Sequence, residues 1–376
     1  MSSGVAAAVQ PQIAVVYLAR FAEGVAPVHK FIDSYKRRRV GITHDLVIVW
    51  KGFPNNDPAG SPQKAICDQV EHRSIAMTDK GFDITAYKLA GETLSHNHVC
   101  FLNTFSEIES DDWLRKLYDH ASRANIGIAG ATASLESVRD SMKSMSKAVW
   151  LCVQGIPYDP LIAEQWGHEI VKHAPNWLAR RPPSLYRRAR RFARRALALK
   201  WGALKPPSRQ EMEDLFETVW AKQGAIYAKL PPFPNHHIRS NGFMMRRPVF
   251  LDALPPRLAT KEDCFEFESG HASVTNRVVR QGLYAVVVGD DGKAYHSSEW
   301  SSSKTFRSGA QENILVSDNQ TRAFEAMSPE LKKLYEHWTW HGPKAAVIES
   351  VLYKESRSQG PDERKNDESC DRAGPL

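Results

Sequence analysis

Residues 81–103, GFDITAYKLAGETLSHNHVCFLN, decide how this chain folds. A glycine-containing loop leads into a helix-forming run at 84–94, and Asp83 stands where a helix N-cap is favoured. The apolar run at 98–102 then predicts a strand that is buried on both faces and stops at a polar residue, Asn103. A loop, a helix and a buried strand in this order predict one unit of a parallel α/β sheet.

The same alternation extends through most of the chain. Further strands are predicted at 13–19, 45–50, 73–77, 126–131, 242–245 and 283–288. Helices are predicted at 25–38, 112–123 and 262–281. The fold class is therefore α/β, with a mostly parallel central sheet flanked by helices. Since ligands of such sheets bind beyond the carboxyl ends of the strands, one rim is selected, at 18–20, 51–52, 103–106 and 131–134.

The composition of the chain limits the kinds of protein that it can be. The chain has 376 residues, of which 42% are hydrophobic and 25% charged, which is ordinary for a globular protein. Its five cysteines include no CxxC pair, so neither a disulfide framework nor a zinc knuckle is predicted. The first twelve residues lack the basic start of a secretion signal, and the longest early apolar run is too short for a bilayer. We expect a cytoplasmic protein.

The positive charge of the chain is local. Residues 180–205 contain eight Arg, two Lys and no acid, and elsewhere 40 basic residues face 43 acidic ones. From Arg187 to Arg195 the arginines recur opposite an apolar face, which predicts a cationic amphipathic helix on an anionic membrane surface. A solvated helix packed on the core is the alternative. Nucleic acid is not the expected partner, because no matching motif accompanies the basic run.

Four parts are predicted along the chain. Residues 12–134 form a nucleotide-sugar-binding half, and 231–350 complete the sheet as an acceptor-binding and catalytic half. Between them, 135–230 break the strand–helix alternation and predict a large helical insertion that carries the basic helix. The polar, charged residues 355–376 predict a disordered tail.

Six motifs, taken in order, resemble the GT-A class of nucleotide-sugar glycosyltransferases, and more narrowly the bacterial, rhamnan-synthesis-like enzymes of cell-surface polysaccharides. They are GFDITAY at 81–87, VCFLNTFSEI at 99–108 with DDWL at 111–114, GATAS at 130–134, HIRSNGFMMRR at 237–247, FESG at 267–270 and TFRSGAQENILVSDNQTR at 305–322. The resemblance implies a GT-A-like sheet and transfer of a hexosyl or deoxyhexosyl group from a nucleotide-diphosphate donor. The acceptor would be a cell-surface polysaccharide or a lipid-linked glycan, met at the inner face of the membrane.

The resemblance also implies where the donor binds. Asp83 matches a donor-contacting acid, while Asn103 and Phe105 replace the two acids that grip a divalent metal. Mg²⁺ or Mn²⁺ would accompany the donor diphosphate in such a site, but no metal-binding residue is predicted here because a phenylalanine cannot be a ligand. Ser106 lies on the same rim. Asp83 as a helix N-cap and Asn103 as a turn residue are the alternatives.

The chemistry of sugar transfer selects the other candidates. A carboxylate must take the proton of the acceptor hydroxyl, and Asp263, Glu266 and Glu268 lie together in KEDCFEFESG. The alternative is an acidic first turn of a helix. Cations must neutralise the leaving diphosphate, for which Lys304 and Arg307 are candidates. Arg239 and Asn241 are predicted to order an acceptor hydroxyl, or else to be turn residues.

Two other functions stay open. Loss of the metal acids is also compatible with a non-catalytic relative that binds nucleotide or glycan, or that scaffolds polysaccharide assembly. The basic run at 180–205 keeps open a nucleic-acid-associated protein, although the chain lacks a nucleic-acid motif.

Overall fold

A computed structural model describes residues 12–137, 139–140 and 230–342, all of which belong to one compact unit. The strands of the described part are β1 (Ile13–Arg20), β2 (Asp45–Lys51), β3 (Arg73–Met77), β4 (His98–Leu102), β5 (Glu107–Ile108), β6 (Ile126–Gly130), β7 (Ala133–Ser134), β8 (His237–Ile238), β9 (Gly242–Arg246), β10 (Tyr284–Val288), β11 (Ala294–Tyr295) and β12 (Val316–Ser317). The helices are α1 (Val25–Arg37), α2 (Pro62–Cys67), α3 (Asp83–Thr93), α4 (Trp113–Ala121), α5 (Arg247–Ala253), α6 (Lys261–Ser269), α7 (Val274–Arg280), α8 (Asn319–Glu325) and α9 (Pro329–Trp340).

The centre of this unit is an eight-stranded sheet in the order β11-β10-β6-β9-β4-β1-β2-β3. Strands β1, β2, β3 and β4 are parallel to their neighbours among themselves, as are β6 and β10. Strand β9 runs opposite to β4 and β6, and β11 runs opposite to β10. The predicted α/β class with a mostly parallel central sheet flanked by helices is confirmed.

Strand β1 shows why the sheet is covered on both faces. Its residues Ile13 to Ala19 are all buried, so successive side chains point into two different cores. Ala14, Val16 and Leu18 pack in one core with apolar side chains of α3, α5, α6 and α7. The side chains between them pack in the other core with α1 and α4. Burying each large apolar side chain contributes roughly 1.5–3 kcal/mol to the stability of the folded protein, so β1 contributes strongly to that stability.

Strand β9 brings a loop to the ligand-binding rim. Because β9 is antiparallel to β4, with Gly242 opposite Leu102, its beginning lies beside the end of β4. The residues just before β9, 239–241, therefore reach the same edge as Asn103. The sequence predicted a strand here but not its direction.

The prediction of one helix over 262–281 is wrong. The structure has α6 and α7 instead, separated by residues 270–273. A Cβ atom on Gly270 would lie 2.7 Å from both the Cα and the carbonyl oxygen of Glu266, so the chain turns sharply where only glycine fits. Ser273 then caps α7 by accepting a hydrogen bond from the backbone N–H of Asn276, 3.2 Å away.

Several predictions lie outside the described residues. These are most of the 135–230 insertion, the basic helix from Arg187 to Arg195 and the 355–376 tail, so the predicted parts of the chain stay predictions. Within the described ranges, no helix has both the length and the apolar composition needed to cross a bilayer.

Candidate active site

The predicted rim forms one continuous edge of the sheet. Arg20 and Lys51, the last residues of β1 and β2, lie side by side. The end of β4 lies on the other side of β1, where Tyr17 is paired with Leu102 and its hydroxyl donates to the carbonyl of Thr104 at 2.8 Å. Asn103 therefore sits between the β1–β2 ends and the loop before β9.

A cavity of about 360 Å³ opens at this edge. Its walls come from the end of β4, strands β7 and β8, the loop before β9, helix α6, the loop before β12 and the start of α8. Five of the ten predicted site residues line it: Asn103, Arg239, Asn241, Glu268 and Arg307. These residues are as many as 204 positions apart in sequence, and only the strand register brings them together.

Glu268, near the end of α6, is the carboxylate of the predicted group that faces the cavity. Its Oε1 accepts a hydrogen bond from the hydroxyl of Ser240 at 2.6 Å. Burial raises the pKa of Glu268, and the charge of Asp83 raises it further, while Ser240 and Arg239 oppose the change. A raised pKa makes the ionised carboxylate a stronger base than an ordinary glutamate.

Arg239 is held in the cavity wall by a buried acid. Its Nη2 donates to Oδ2 of Asp318 at 2.8 Å, and its guanidinium stacks 3.9 Å from the centre of the Phe306 ring. Asp318 also caps α8 by accepting from the N–H groups of Gln320 and Thr321. Although burial alone would raise it, the pKa of Asp318 is lowered by Arg239 and these amides, so the acid stays ionised.

Arg307 forms a second buried ion pair. Its Nη1 donates to Oε2 of Glu136 at 2.8 Å, and its Nη2 donates to Oε1 of Gln320 at 3.2 Å. The guanidinium lies 4.9 Å from the centre of Phe306 and 4.8 Å from that of Tyr335. Both arginines of the cavity are thus fixed in position by a carboxylate and by an aromatic ring.

The amide residues of the rim are ordered by local hydrogen bonds. Oδ1 of Asn103 accepts from the N–H of Phe105 at 2.9 Å, and the Ser106 hydroxyl lies 3.1 Å from the same oxygen and 2.6 Å from the carbonyl of Asn241. Asn241 is buried, with Oδ1 accepting from Thr132 and Nδ2 donating to Val316. Ser106 and Asn241 therefore support the cavity wall rather than offer unused groups to a ligand.

The Mg²⁺ or Mn²⁺ that the resemblance implies does not fit this edge. The side-chain oxygen of Asn103 is already an acceptor within its own turn, and Phe105 has no ligand atom. Among the residues that the structure describes, no group of three or more His, Cys, Asp or Glu side chains is placed to hold a metal ion. The amide nitrogen of Asn103 is available to a ligand, because no described residue accepts a hydrogen bond from it.

Asp83 lies outside the cavity wall but close to it. It is the first residue of α3, with Phe82 rather than Asp83 as the N-cap, so the alternative of a capping aspartate is wrong. Burial raises its pKa, and the positive charges of Arg20 and Lys51 oppose the change. Asp83 in turn contributes to the raised pKa of Glu268, which places the two carboxyl groups within electrostatic reach of each other.

The other predicted candidates do not line the cavity. Asp263 completes a capping box at the start of α6, where its carboxylate accepts from the N–H groups of Ala259 and Thr260. Lys304 is exposed and pairs with Glu312 at 2.6 Å. Glu266 lies in the same helix as Glu268 but is not a lining residue. The capping box gives Asp263 the role that the sequence left open as the alternative.

Three ionisable residues that line the cavity are not among the predicted site residues: Glu136, His237 and Asp318. Nδ1 of His237 donates to the carbonyl of Asn235 at 2.8 Å, and burial lowers the pKa of His237 to about 4. The imidazole is therefore neutral at pH 7, with its Nε2 lone pair available. The sequence could have predicted the capping role of Asp318, since DNQT is a helix-capping sequence. No local pattern predicts its pairing with Arg239, 79 residues earlier.

Comparison with known proteins finds similarity to solved structures alone. No protein-family model and no curated protein matches the sequence. Among solved structures, the chain is similar to mannosyltransferase PcManGT from Pyrobaculum calidifontis, solved with GDP-Man and Mn²⁺, with 12% identity over 38% of this chain and 41% of that one and a TM-score of 0.28. It is also similar to glucosyl-3-phosphoglycerate synthase from Mycobacterium tuberculosis, solved with Mn²⁺, UDP and glucosyl-3-phosphoglycerate, with 14% identity over 37% and 52% and a TM-score of 0.26.

A third similar structure is GalNAc-T7 with UDP, GalNAc and Mn²⁺, at 13% identity over 32% of this chain and 23% of that one, with a TM-score of 0.26. The matched region thus spans between 23% and 52% of the length of these proteins. TM-scores this low say nothing about activity, so the function of this chain is inferred from the residues of its own cavity.

Proposed function

We propose that the protein is a glycosyltransferase that moves a sugar from a nucleotide-diphosphate donor to a glycan acceptor. The observation that carries the proposal is the cavity at the carboxyl edge of the sheet, which Glu268 and Asn103 both line. A carboxylate of raised pKa in a cavity with converging polar groups is the usual form of a catalytic site.

The donor nucleotide is assigned to the ends of β1 and β2. Asp83 faces Arg20 and Lys51 there, and a carboxylate of this kind can accept from ribose or base N–H and O–H groups. Asn103 lies at the next strand end, where its amide nitrogen can donate to a hydroxyl oxygen of a sugar. The donor would thus extend from the β1–β2 ends towards the cavity.

Glu268 acts as the base in this proposal. Its carboxylate takes the proton from an acceptor hydroxyl while that oxygen attacks the anomeric carbon of the donor sugar, and the nucleotide diphosphate leaves with the bonding electrons. Ser240 fixes the orientation of the carboxylate through its 2.6 Å hydrogen bond. Arg239 and Arg307 hold the cavity walls, which keeps the reacting groups in position.

The finer assignments rest on the sequence motifs. We propose transfer of a hexosyl or deoxyhexosyl group to a bacterial cell-surface polysaccharide or lipid-linked glycan, as in rhamnan-synthesis-like enzymes. The basic segment from Arg187 to Arg195 supports a site of action at an anionic membrane surface on the cytoplasmic side.

A panel of UDP-, GDP- and dTDP-sugars tests the proposal. At least one should raise the melting temperature, since a ligand at 100 times its Kd stabilises the folded state by about 2.7 kcal/mol. The same sugar should release nucleotide diphosphate when glycan acceptors are added. Glu268→Gln should lower turnover by about 10²–10⁴-fold and leave donor binding in place, because the amide cannot accept a proton but still accepts from Ser240.

Glu262→Gln is the matched control, because it makes the same change in the first turn of α6, away from the cavity wall. It should retain turnover. No stabilisation by any nucleotide sugar would refute the proposal. Binding without turnover, unchanged by Glu268→Gln, would favour the non-catalytic alternative, for which Asn103 and Phe105 in place of two acids are the motivation.

A further inference from the structure

The charges inside the cavity are almost fully paired. The ionisable side chains that line it are Glu136, His237, Arg239, Glu268, Arg307 and Asp318. His237 is neutral at pH 7 because burial lowers its pKa to about 4. Two guanidinium groups therefore face three carboxyl groups, and the described part of the cavity has no excess of positive charge.

Each guanidinium is also held in place by its acid. The Arg239–Asp318 pair is 2.8 Å long with side chains 14% and 2% exposed, and the Arg307–Glu136 pair is 2.8 Å long with side chains 9% and 25% exposed. Pulling either arginine towards an anionic ligand would leave a largely buried carboxylate without its partner, which is strongly unfavourable. These arginines are thus poor sites for phosphate or for a second carboxylate.

Glu268 makes an anionic ligand less favourable still. Its carboxylate lies in the same cavity with a hydroxyl, that of Ser240, as its closest donor. A negatively charged group entering the cavity would meet this carboxylate, and because both arginines that line the cavity are already paired with acids, the two like charges would repel each other. The hydroxyl groups of a neutral sugar would instead donate to it.

The remaining lining groups suit a polyol. Asn103 offers amide N–H donors, Arg239 and Arg307 retain N–H groups beyond those used in their ion pairs, and Ser240 and Gln320 add polar atoms. The ring of Phe265, which is 38% exposed, forms an apolar part of the wall. A pyranose ring presents both hydroxyl groups and an apolar C–H face, so it matches both kinds of surface.

We propose that this cavity selects an uncharged pyranosyl residue and rejects uronate and phosphorylated sugars. The inference deepens the proposed glycosyltransferase function and rests on it. It also implies that the diphosphate of the donor lies outside the cavity, since Arg307 is committed to Glu136. The uncharged sugar can belong either to the donor or to the acceptor.

Binding of matched neutral and anionic ligands tests the selection. The donor arm compares UDP-glucose with UDP-glucuronate, and UDP-galactose with UDP-galacturonate, by calorimetry. The acceptor arm compares methyl β-glucoside with methyl β-glucuronide by ligand-observed NMR with saturating UDP present. In at least one arm the neutral member should bind about tenfold more tightly or better, as expected for a like-charge penalty.

The Asp318→Asn variant should shift the preference of the cavity towards anionic ligands. Asparagine keeps the N-cap of α8, but it removes the negative charge that neutralises Arg239. The variant should bind the anionic member of the discriminating pair about tenfold more tightly than the wild type does, and the neutral member no more tightly.

Asp112→Asn is the control for that variant. Asp112 is also an N-cap aspartate bonded to an arginine, Arg39, but it lies at the start of α4 and does not line the cavity. Its substitution should leave the neutral-to-anionic ratio of the wild type unchanged. Melting curves of both variants show whether they are folded.

The outcomes separate the two proposals. Equal binding of the neutral and the anionic member in both arms, or an Asp318→Asn variant with unchanged preference, would overturn the selection while leaving the glycosyltransferase function standing. Failure of the UDP-, GDP- and dTDP-sugars of the panel to bind would overturn both. A preference confined to the donor pairs assigns the cavity to the donor sugar, and one confined to the glycosides assigns it to the acceptor.

Discussion

Two carboxylates of helix α6 show how position decides the chemistry of a residue. Asp263 lies in the first turn, where hydrogen bonds from the backbone N–H groups of Ala259 and Thr260 lower its pKa. Glu268 lies five residues later at the cavity, where burial raises its pKa. An acid held strongly ionised by backbone amides suits a structural cap, whereas one with a raised pKa suits proton transfer at neutral pH.

His237 carries a pH-dependent contribution to stability that follows from its burial. Its pKa falls from the ordinary 6.5 to about 4 in the folded protein. Between these values the unfolded chain binds more protons than the folded one, so the free energy of unfolding decreases as the pH falls from about 6.5 towards 4. The full difference is on the order of 3 kcal/mol.

We therefore predict that His237→Asn flattens the acid side of the stability curve. Asparagine can still donate to the carbonyl of Asn235 but does not titrate. Urea midpoints measured from pH 4 to pH 7 should fall less steeply for the variant than for the wild type. His29→Asn, at a side chain 58% exposed, is the control and should reproduce the wild-type slope. Parallel curves for wild type and His237→Asn would contradict the prediction.

At the scale of elements, the capping box of α6 separates a structural from a catalytic role for Asp263. Thr260 and Asp263 each accept a hydrogen bond from the backbone N–H of the other, which satisfies donors that the first turn of a helix leaves unpaired. We predict that Asp263→Ala lowers the free energy of unfolding by about 1 kcal/mol, as loss of a cap does. Turnover measured well below the melting temperature should stay within about threefold of the wild-type value, a change far smaller than the loss of a catalytic base.

Asp263→Asn helps to interpret that result, because the side-chain oxygen of asparagine can still accept from the N–H groups of Ala259 and Thr260. It should recover most of the lost stability, as read from denaturant midpoints. A loss of turnover comparable to that of Glu268→Gln, in an Asp263 variant that is fully folded, would restore Asp263 as the base.

At the scale of the whole molecule, the sequence predicts what local patterns encode. The strand at 98–102 begins and ends where its apolar run does, because burial on both faces of a sheet demands continuous apolar side chains. The split between α6 and α7 was missed, since it depends on the close approach of Gly270 to Glu266 in space. The direction of β9 was missed too, because the connection before it is long and sets no direction.

The residues of the candidate site also divide into those that local sequence patterns predict and those that they do not. Asn103 and Arg239 were found because they stand at strand ends, which the alternation of elements locates. The partners that fix the charges of the cavity were not found, because Asp318 and Glu136 meet their arginines across 79 and 171 residues of sequence. An ion pair of this kind is a property of the folded chain, and it changes the predicted role of Arg307 from a diphosphate clamp to a part of the cavity wall.

The basic segment gives a prediction for the protein as a whole. Each basic side chain near an anionic bilayer contributes about 1 kcal/mol to binding, so substituting Arg187, Arg188, Arg191 and Arg195 by Gln should weaken vesicle binding at least about a hundredfold. Co-sedimentation of the full chain with vesicles of anionic and of neutral lipid measures this. The wild type should bind the anionic vesicles alone and lose them as salt is raised. The same four-residue variant should keep its turnover on a water-soluble acceptor, which shows that the site at the sheet edge is intact. Equal vesicle binding by variant and wild type, or retention of the wild type on DNA but not on vesicles, would contradict a membrane role for this segment.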